Sequence, residues 1–91
     1  MQRLHLRISG GVQGVAFRAY AVRRARELRL NGWVRNRADG TVELVAEGDE
    51  PALRSLGQWC QVGPPAASVS NVEEQWLGFI GDLDPFTVRY G

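Results

Sequence analysis

Residues 3–18 read RLHLRISGGVQGVAFR and decide the fold, because they pass from a strand pattern through a glycine-rich turn into a helix. Polar and apolar residues alternate from Arg3 to Ser9, which is the period of a half-buried strand. After GGVQGVAF, apolar residues recur at helical spacing: Phe17, Ala21, Ala25 and Leu28. We therefore predict a strand over residues 3–9 and a helix from about Arg18 to Arg29, ended by Asn31-Gly32.

The rest of the chain predicts one more helix and four more strands. The strands are predicted over residues 33–37, 41–47, 69–76 and 86–90. Asp39-Gly40 is a tight-turn signal, so the first two of these strands form a hairpin. The second helix begins after Asp49, with Pro51 near its first position, and ends before Gly63-Pro64-Pro65. In residues 69–76 the alternation breaks once, which predicts a β-bulge.

The predicted order of elements is β-α-β-β-α-β with a further strand at the C-terminal end. Short connections favour packing between neighbouring elements, so this order predicts a ferredoxin-like α+β sandwich. Its antiparallel sheet would carry two helices on one face and a short extra C-terminal strand. At 91 residues the chain is expected to form a single domain, residues 1–91.

Charge is distributed unevenly along the chain, although the net charge is only +1. All eleven basic residues are arginine, and nine of them fall in residues 1–37, where Glu27 is the only acid. We interpret most of these arginines as solvent-exposed surface residues. A surface rich in arginine on one side would also suit an anionic ligand.

Cysteine and histidine are too few in this chain to build a disulfide or a zinc site. Cys60 and His5 are each the single residue of their type, so neither an internal disulfide nor a zinc cluster is expected. No apolar run approaches the length of a membrane span. We expect a soluble, cytoplasmic protein without a metal or a cofactor.

The glycine-rich connection is the first candidate site. Gly10, Gly11 and Gly14 let the backbone fold tightly enough for successive N–H groups to face one anion. The helix that follows adds its own unpaired N–H groups, and Arg18 adds a bidentate cationic donor. The stretch lacks the Lys-Ser/Thr end of a nucleotide P-loop. The sequence therefore predicts an anion site, with a plain tight turn as the alternative.

The second candidate is Asn36, in the GWVRN stretch of the hairpin. A period of two sends Val34 and Asn36 to one face and Trp33, Arg35 and Arg37 to the other. From the residues alone, Asn36 is either an ordinary turn residue or part of a site.

The chain resembles the acylphosphatase family at both of these places. Residues 8–18, ISGGVQGVAFR, and residues 32–48, GWVRNRADGTVELVAEG, match its two signatures. GPPAASV at 63–69 and FTVRY at 86–90 are also similar, so the resemblance spans essentially the whole chain. Two departures stand out: Gly57 replaces a bulky apolar residue, and Arg37 replaces the small hydroxyl residue of some members.

The resemblance implies a hydrolase of acid anhydrides that splits acyl phosphates into a carboxylate and inorganic phosphate. It assigns catalysis to Arg18 and Asn36, with Asn36 orienting the attacking water. The phosphate-binding residues that it implies are Gly11, Val12, Gln13, Gly14, Val15, Ala16, Phe17 and Arg18. The expected partners are a small-molecule acyl phosphate and inorganic phosphate, as product and inhibitor. We expect a monomer that binds neither nucleic acid nor membrane.

Three alternatives remain open at this point. RNA-recognition domains share the βαββαβ order, although they carry stacking aromatics on their sheet. A carrier or regulatory domain could bind carbamoyl phosphate or a similar acyl phosphate without hydrolysing it. A carboxylate pair could perform the chemistry instead, either Asp39 with Glu43 or Asp82 with Asp84.

Overall fold

The computed structural model describes residues 1–90. The bounds of its elements are β1 Gln2–Gly11, α1 Phe17–Glu27, β2 Asn31–Asn36, β3 Val42–Gly48, α2 Glu50–Cys60, β4 Ser68–Gly78 and β5 Thr87–Val88. The predicted order of helices and strands is therefore confirmed. Most ends differ from the prediction by one or two residues, as is usual where helices and strands fray.

The five strands form one sheet in the order β4-β1-β3-β2-β5. The pairs β1–β4, β1–β3 and β2–β3 are antiparallel, as predicted. The short extra strand differs, because β5 runs parallel to β2, with Trp33 opposite Thr87. This pairing makes the sheet mixed. Its cause is topological: β4 runs opposite to β2, so one reversal of the chain after β4 aligns β5 with β2.

The two helices cover one face of the sheet and bury a single apolar cluster. The strand residues in this cluster are those that alternate toward the helices: Leu4, Leu6, Ile8, Val34, Val42, Leu44 and Ala46. The helices contribute Phe17, Ala21, Ala25, Leu53, Leu56 and Cys60, and Phe86, just before β5, also belongs to the cluster. The stripe predicted for the first helix is thus buried, apart from Leu28, which is only partly buried.

The predicted bulge is present in β4, opposite the end of β1. Ser9 pairs with Asn71 but Gly10 pairs with Val69, so Ser70 is the extra residue. Gly10 has φ of 121°, and a Cβ atom there would lie 2.2 Å from the carbonyl oxygen of Ser68. Only glycine fits this close approach, which lets β1 stay paired with β4 past the bulge as far as Gly11.

Gly57 weakens α2 without a packing reason, so its replacement by alanine should stabilise the fold. A Cβ atom at Gly57 would meet Glu74 Oε2 at 3.4 Å and Leu4 Cδ2 at 3.8 Å, both ordinary contacts. We expect Gly57→Ala to raise the free energy of unfolding by about 0.5–1 kcal/mol, measured by urea denaturation.

The matched control for this prediction is Gly32→Ala. Gly32 has φ of 146°, and a Cβ atom there would lie 2.0 Å from the carbonyl oxygen of Val45. That variant should unfold at a much lower urea concentration. If Gly57→Ala also lowered the midpoint, the cost assigned to this glycine would be wrong.

Candidate active site

The loop between β1 and α1 has a left-handed backbone at two positions. Gly14 has φ of 74°, and Ala16, the residue that caps α1, has φ of 63° and ψ of 23°. A non-glycine residue at positive φ is uncommon, and such strain concentrates at functional sites. Left-handed residues between right-handed ones also turn consecutive N–H groups toward a common centre. The two left-handed residues therefore favour a loop backbone whose N–H groups can bind an anion.

The N–H groups along this loop are unpaired. Within residues 1–90, those of residues 13–19 make no hydrogen bond, and Ala16 provides no side-chain cap. The first bond of α1 runs from the Tyr20 N–H to the Ala16 carbonyl, at 3.1 Å. The Val12 N–H is already used, because it donates to the Gly10 carbonyl at 3.0 Å. With no acidic residue in its first turn, the N-terminus of α1 favours an external anion.

Arg18 lies in the first turn of α1, beside these N–H groups, and is half-buried. Its guanidinium lies 5.4 Å from the centre of the Tyr90 ring. In the described part of the chain it makes no hydrogen bond and no ion pair, whereas Arg3 pairs with Glu47 at 2.9 Å. All donors of the Arg18 fork are therefore available to bind a phosphate or a carboxylate bidentately.

Phe17 anchors the start of α1 and so fixes the position of Arg18. Its side chain is only 2% exposed, and its ring centre lies 5.2 Å from that of Trp59. Gly63 passes directly against the ring, since a Cβ atom there would lie 2.9 Å from Phe17 Cε2. Tight packing on both sides holds the helix end in one place.

Asn36 ends β2 on the face of the sheet that the helices cover, together with buried Val34. Its Oδ1 atom is buried and has no hydrogen-bond partner among residues 1–90. Such an atom costs about 1–3 kcal/mol of stability, so it is tolerated where function needs it. The amide is thus free to accept a hydrogen bond from a water molecule or a ligand.

Arg18 and Asn36 lie in the same cleft, of about 200 Å³. This volume is below the usual range for drug-sized ligands and suits a small anion with a short substituent. The other residues that line it are Val12, Gly14, Ala16, Phe17, Ala19, Val88 and Tyr90. The structure therefore brings together the two side chains to which the resemblance assigns catalysis.

Three of the predicted phosphate-binding residues do not line this cleft. Gly11 is the last residue of β1 and pairs with Ser68. Val15 packs against the apolar cluster. Gln13 turns its side chain toward the β2–β3 hairpin, where its amide donates to the carbonyls of Arg37 and Thr41.

Ala19, Val88 and Tyr90 line the cleft but were not among the predicted site residues. Alternation in residues 86–90 already placed Val88 and Tyr90 on one face together with Phe86. The pairing of β5 beside β2, which brings them next to Asn36, has no local sequence signal.

The acidic residues of the two candidate carboxylate pairs have other partners. Asp39 accepts hydrogen bonds from the Thr41 hydroxyl at 2.6 Å and the Thr41 N–H at 3.0 Å, and these bonds lower its pKa. Glu43 lies on the open face of the sheet, where it contacts His5 Nε2 at 2.7 Å and Arg35 Nε at 2.6 Å. Asp82 pairs with Arg3. None of these acids, nor Asp84, lines the cleft of Arg18.

Other reactive groups are also remote from the cleft. Burial raises the pKa of the Cys60 thiol to about 12, so it is not a thiolate near neutral pH.

A larger cleft of about 510 Å³ lies on the open face beside Trp33, but the Arg3 that lines it is already paired with Asp82. Within residues 1–90, no three His, Cys, Asp or Glu residues cluster as metal ligands, and no helix has the length and apolarity to cross a membrane.

Comparisons with known proteins agree with one another. A sequence model of one family, described as Acylphosphatase, matches residues 4–88. A protein named Acylphosphatase from Anaeromyxobacter sp. (strain Fw109-5) is 52% identical over 90 residues, which cover 99% of this chain and 97% of that protein. The crystal structure of acylphosphatase from Bacillus subtilis is similar with a TM-score of 0.95 at 34% identity, covering 99% of this chain and 100% of its own. The structure of an acylphosphatase from Coxiella burnetii gives a TM-score of 0.90 at 43% identity, covering 97% and 92%.

Glu43 should contribute to stability in a pH-dependent way and not to catalysis. Burial raises its pKa, but the hydrogen bonds from His5 and Arg35 and the charge of Arg35 outweigh burial, so the net pKa is lowered. A lowered folded-state pKa adds stability above the unfolded pKa, and this stability is lost as pH falls through the folded pKa. Glu43→Gln should therefore reduce the free energy of unfolding by about 1–2 kcal/mol at neutral pH.

The gap between wild type and Glu43→Gln should narrow as pH falls below the ordinary glutamate pKa, and it should close once pH has passed the lowered pKa of the folded-state carboxyl. Turnover of an acyl phosphate should show no order-of-magnitude loss, because Glu43 faces away from Arg18. Loss of turnover in a stably folded Glu43→Gln protein would return the carboxylate to the list of catalytic groups.

Proposed function

Since this chain belongs to the acylphosphatase family, and is thus an enzyme that hydrolyses acyl phosphates, we propose a division of labour within its cleft. Arg18 and the loop N–H groups bind the phosphoryl group, and Asn36 aligns the attacking water. The observation that supports this most directly is the buried, unpartnered Oδ1 of Asn36 in the same cleft as the unpaired guanidinium of Arg18.

The phosphoryl group is bound by donors that are already in place. In the transition state, charge spreads over its equatorial oxygens, and fixed donors stabilise that charge without reorganising. The unpaired N–H groups of residues 13–18 and the Arg18 fork provide such donors. The Val12 N–H already donates to Gly10, so we assign Gly11 and Val12 to shaping the loop.

The leaving group needs little help from the protein. An acyl phosphate is a mixed anhydride, so its carboxylate leaves without protonation and no strong general acid is required. Water oxygen attacks phosphorus, the bond from phosphorus to the acyl oxygen breaks, and the electron pair leaves on the carboxylate. Both water protons end on the inorganic phosphate.

Asn36 contributes by positioning. Its Oδ1 can accept a hydrogen bond from the water and so hold it in line with the bond that breaks. Holding two reactants in place removes much of the entropic cost of bringing them together. The amide does not titrate, so this role requires no particular pH.

We further propose that residues 1–91 act as one acylphosphatase-like domain, as a monomer in the cytoplasm, on small-molecule acyl phosphates. Support comes from the single apolar cluster and from the one cysteine, which is buried and reduced. The arginines Arg7, Arg35 and Arg37 pair with carboxylates across the open face, which argues against a nucleic-acid surface. Metal independence and the absence of a cofactor are part of the proposal.

Replacing Arg18 should abolish most turnover. Arg18→Ala should lower kcat/KM by about 10³-fold or more, because the transferring phosphoryl group loses its fixed cation. Arg18→Lys keeps the charge but loses the planar fork, and should remain about 10²-fold impaired. The assay is phosphate release from a synthetic aromatic acyl phosphate with EDTA present, and Arg23→Ala is the control. Full activity of Arg18→Lys would rule out bidentate binding.

Replacing Asn36 should separate catalysis from anion binding. Asn36→Ala should lower kcat by about 10²-fold, because the water is no longer aligned. Its inhibition constant for inorganic phosphate should stay close to that of the wild type, since Asn36 is assigned to the water. Exposed Asn71, on β4, gives the control Asn71→Ala. Equal losses in kcat and in phosphate affinity would contradict the assignment.

A further inference from the structure

Gln13 connects the two halves of the site through its side chain. It lies in the loop between β1 and α1, but its amide points out of the cleft toward the hairpin. Its Nε2 donates to the Arg37 carbonyl at 2.8 Å and to the Thr41 carbonyl at 2.9 Å. Two carbonyl acceptors require the NH₂ end of the amide here, because the flipped amide would place oxygen against oxygen.

These two carbonyls close the hairpin that carries Asn36. The Arg37 N–H donates to the Thr41 carbonyl at 2.9 Å, and the Gly40 N–H donates to the Arg37 carbonyl at 3.2 Å. Arg37 is the residue directly after Asn36. Across residues 1–90, the Gln13 side chain makes the only hydrogen bonds between the loop 12–16 and the turn 37–41.

We propose that Gln13 is a positioning residue that sets the distance between the anion-binding loop and the Asn36 amide. This inference rests on the roles proposed above for Arg18 and Asn36. Gln13 does not line the cleft, so it acts through the hairpin and not on the substrate. An error of about 1 Å in the placement of a reacting group can cost about 10²-fold in rate, so a two-point contact at this place has catalytic value.

A purely structural role is the main alternative. Gln13 is exposed, and exposed hydrogen bonds exchange readily with bonds to water, so their loss should change stability little. A positioning role instead predicts lower kcat, an unchanged inhibition constant for inorganic phosphate, and a dependence on Asn36. These readouts separate the two roles.

The test is a double-substitution cycle with Gln13→Leu and Asn36→Ala. Gln13→Leu should lower kcat by about tenfold or more, with little change in the phosphate inhibition constant. In the Asn36→Ala background, the same change should alter kcat by no more than about twofold, because the group that it positions is gone. Gln58→Leu, an exposed glutamine on α2, is the control for an added apolar side chain.

A second variant keeps the proposal testable if Gln13→Leu is poorly folded. Gln13→Glu has the same shape, but its ionised carboxylate cannot donate to the two carbonyls. Protonation restores one donor, so kcat relative to the wild type should recover as pH falls toward the pKa of the introduced carboxyl. Because one protein is compared at two pH values, a folding defect present at both values would lower kcat at both and would not produce this recovery.

The outcomes separate this inference from the proposed function. Wild-type kcat in Gln13→Leu, equal losses with and without Asn36, or no recovery of Gln13→Glu at low pH would each overturn the role of Gln13. The assignments of Arg18 and Asn36 would then still stand on their own variants. Wild-type kcat in Asn36→Ala would instead overturn the proposed function, and the inference with it.

Discussion

The short connection from β1 to α1 is the constraint on which the rest of the site depends. The chain has only residues 12–16 in which to leave the sheet and start a helix. The reversal is possible because Gly14 and Ala16 adopt left-handed backbone conformations, and the same conformations leave the N–H groups at the start of α1 unpaired. Burial of Phe17 fixes the helix end in place, so the anion-binding loop does not need ligand to organise it.

Ion pairing neutralises the open face of the sheet and leaves the Arg18 guanidinium without a carboxylate partner among the described residues. On the open face of the sheet, arginines of β1 and β2 pair with carboxylates of β3 and β4, as in Arg3–Glu47 and Arg7–Glu73. Arg18 lies on the helix side, and no carboxylate lines its cleft. The uneven charge along the sequence thus becomes a largely neutralised open face in three dimensions, while the Arg18 guanidinium on the helix side stays uncompensated.

Local patterns in the sequence account for most of the fold. The alternation before Ser9, the helical stripe from Phe17 and the turn at Asp39-Gly40 each have a period or a residue type that only one local structure satisfies. The break in alternation within residues 69–76 also indicated a bulge, which the structure has at Ser70. The parallel direction of β5 was missed, because it is decided by how the chain returns across the sheet and not by residues 86–90 themselves.

The site was harder to predict than the fold, because it combines elements that are distant in sequence. The residues alone indicated Arg18 as part of an anion site, but Asn36 gained a role only through the resemblance, since an Asn at a strand end is usually a turn residue. The side chain of Gln13 carried no pattern at all: its acceptors are backbone carbonyls, which have the same chemistry at every position. Tyr90 reaches Arg18 only because β5 lies beside β2.

The central claim is that one cleft, built from the loop and the start of α1, holds the phosphoryl group. The most direct measurement is a titration of ¹⁵N-labelled protein with inorganic phosphate in EDTA, followed by amide NMR shifts. We predict saturable shifts centred on residues 14–18, with amides of α2 and β4 unchanged. Shifts centred instead on Trp33 and Arg89, at the larger open-face cleft, or no saturable shift at residues 14–18, would contradict the account.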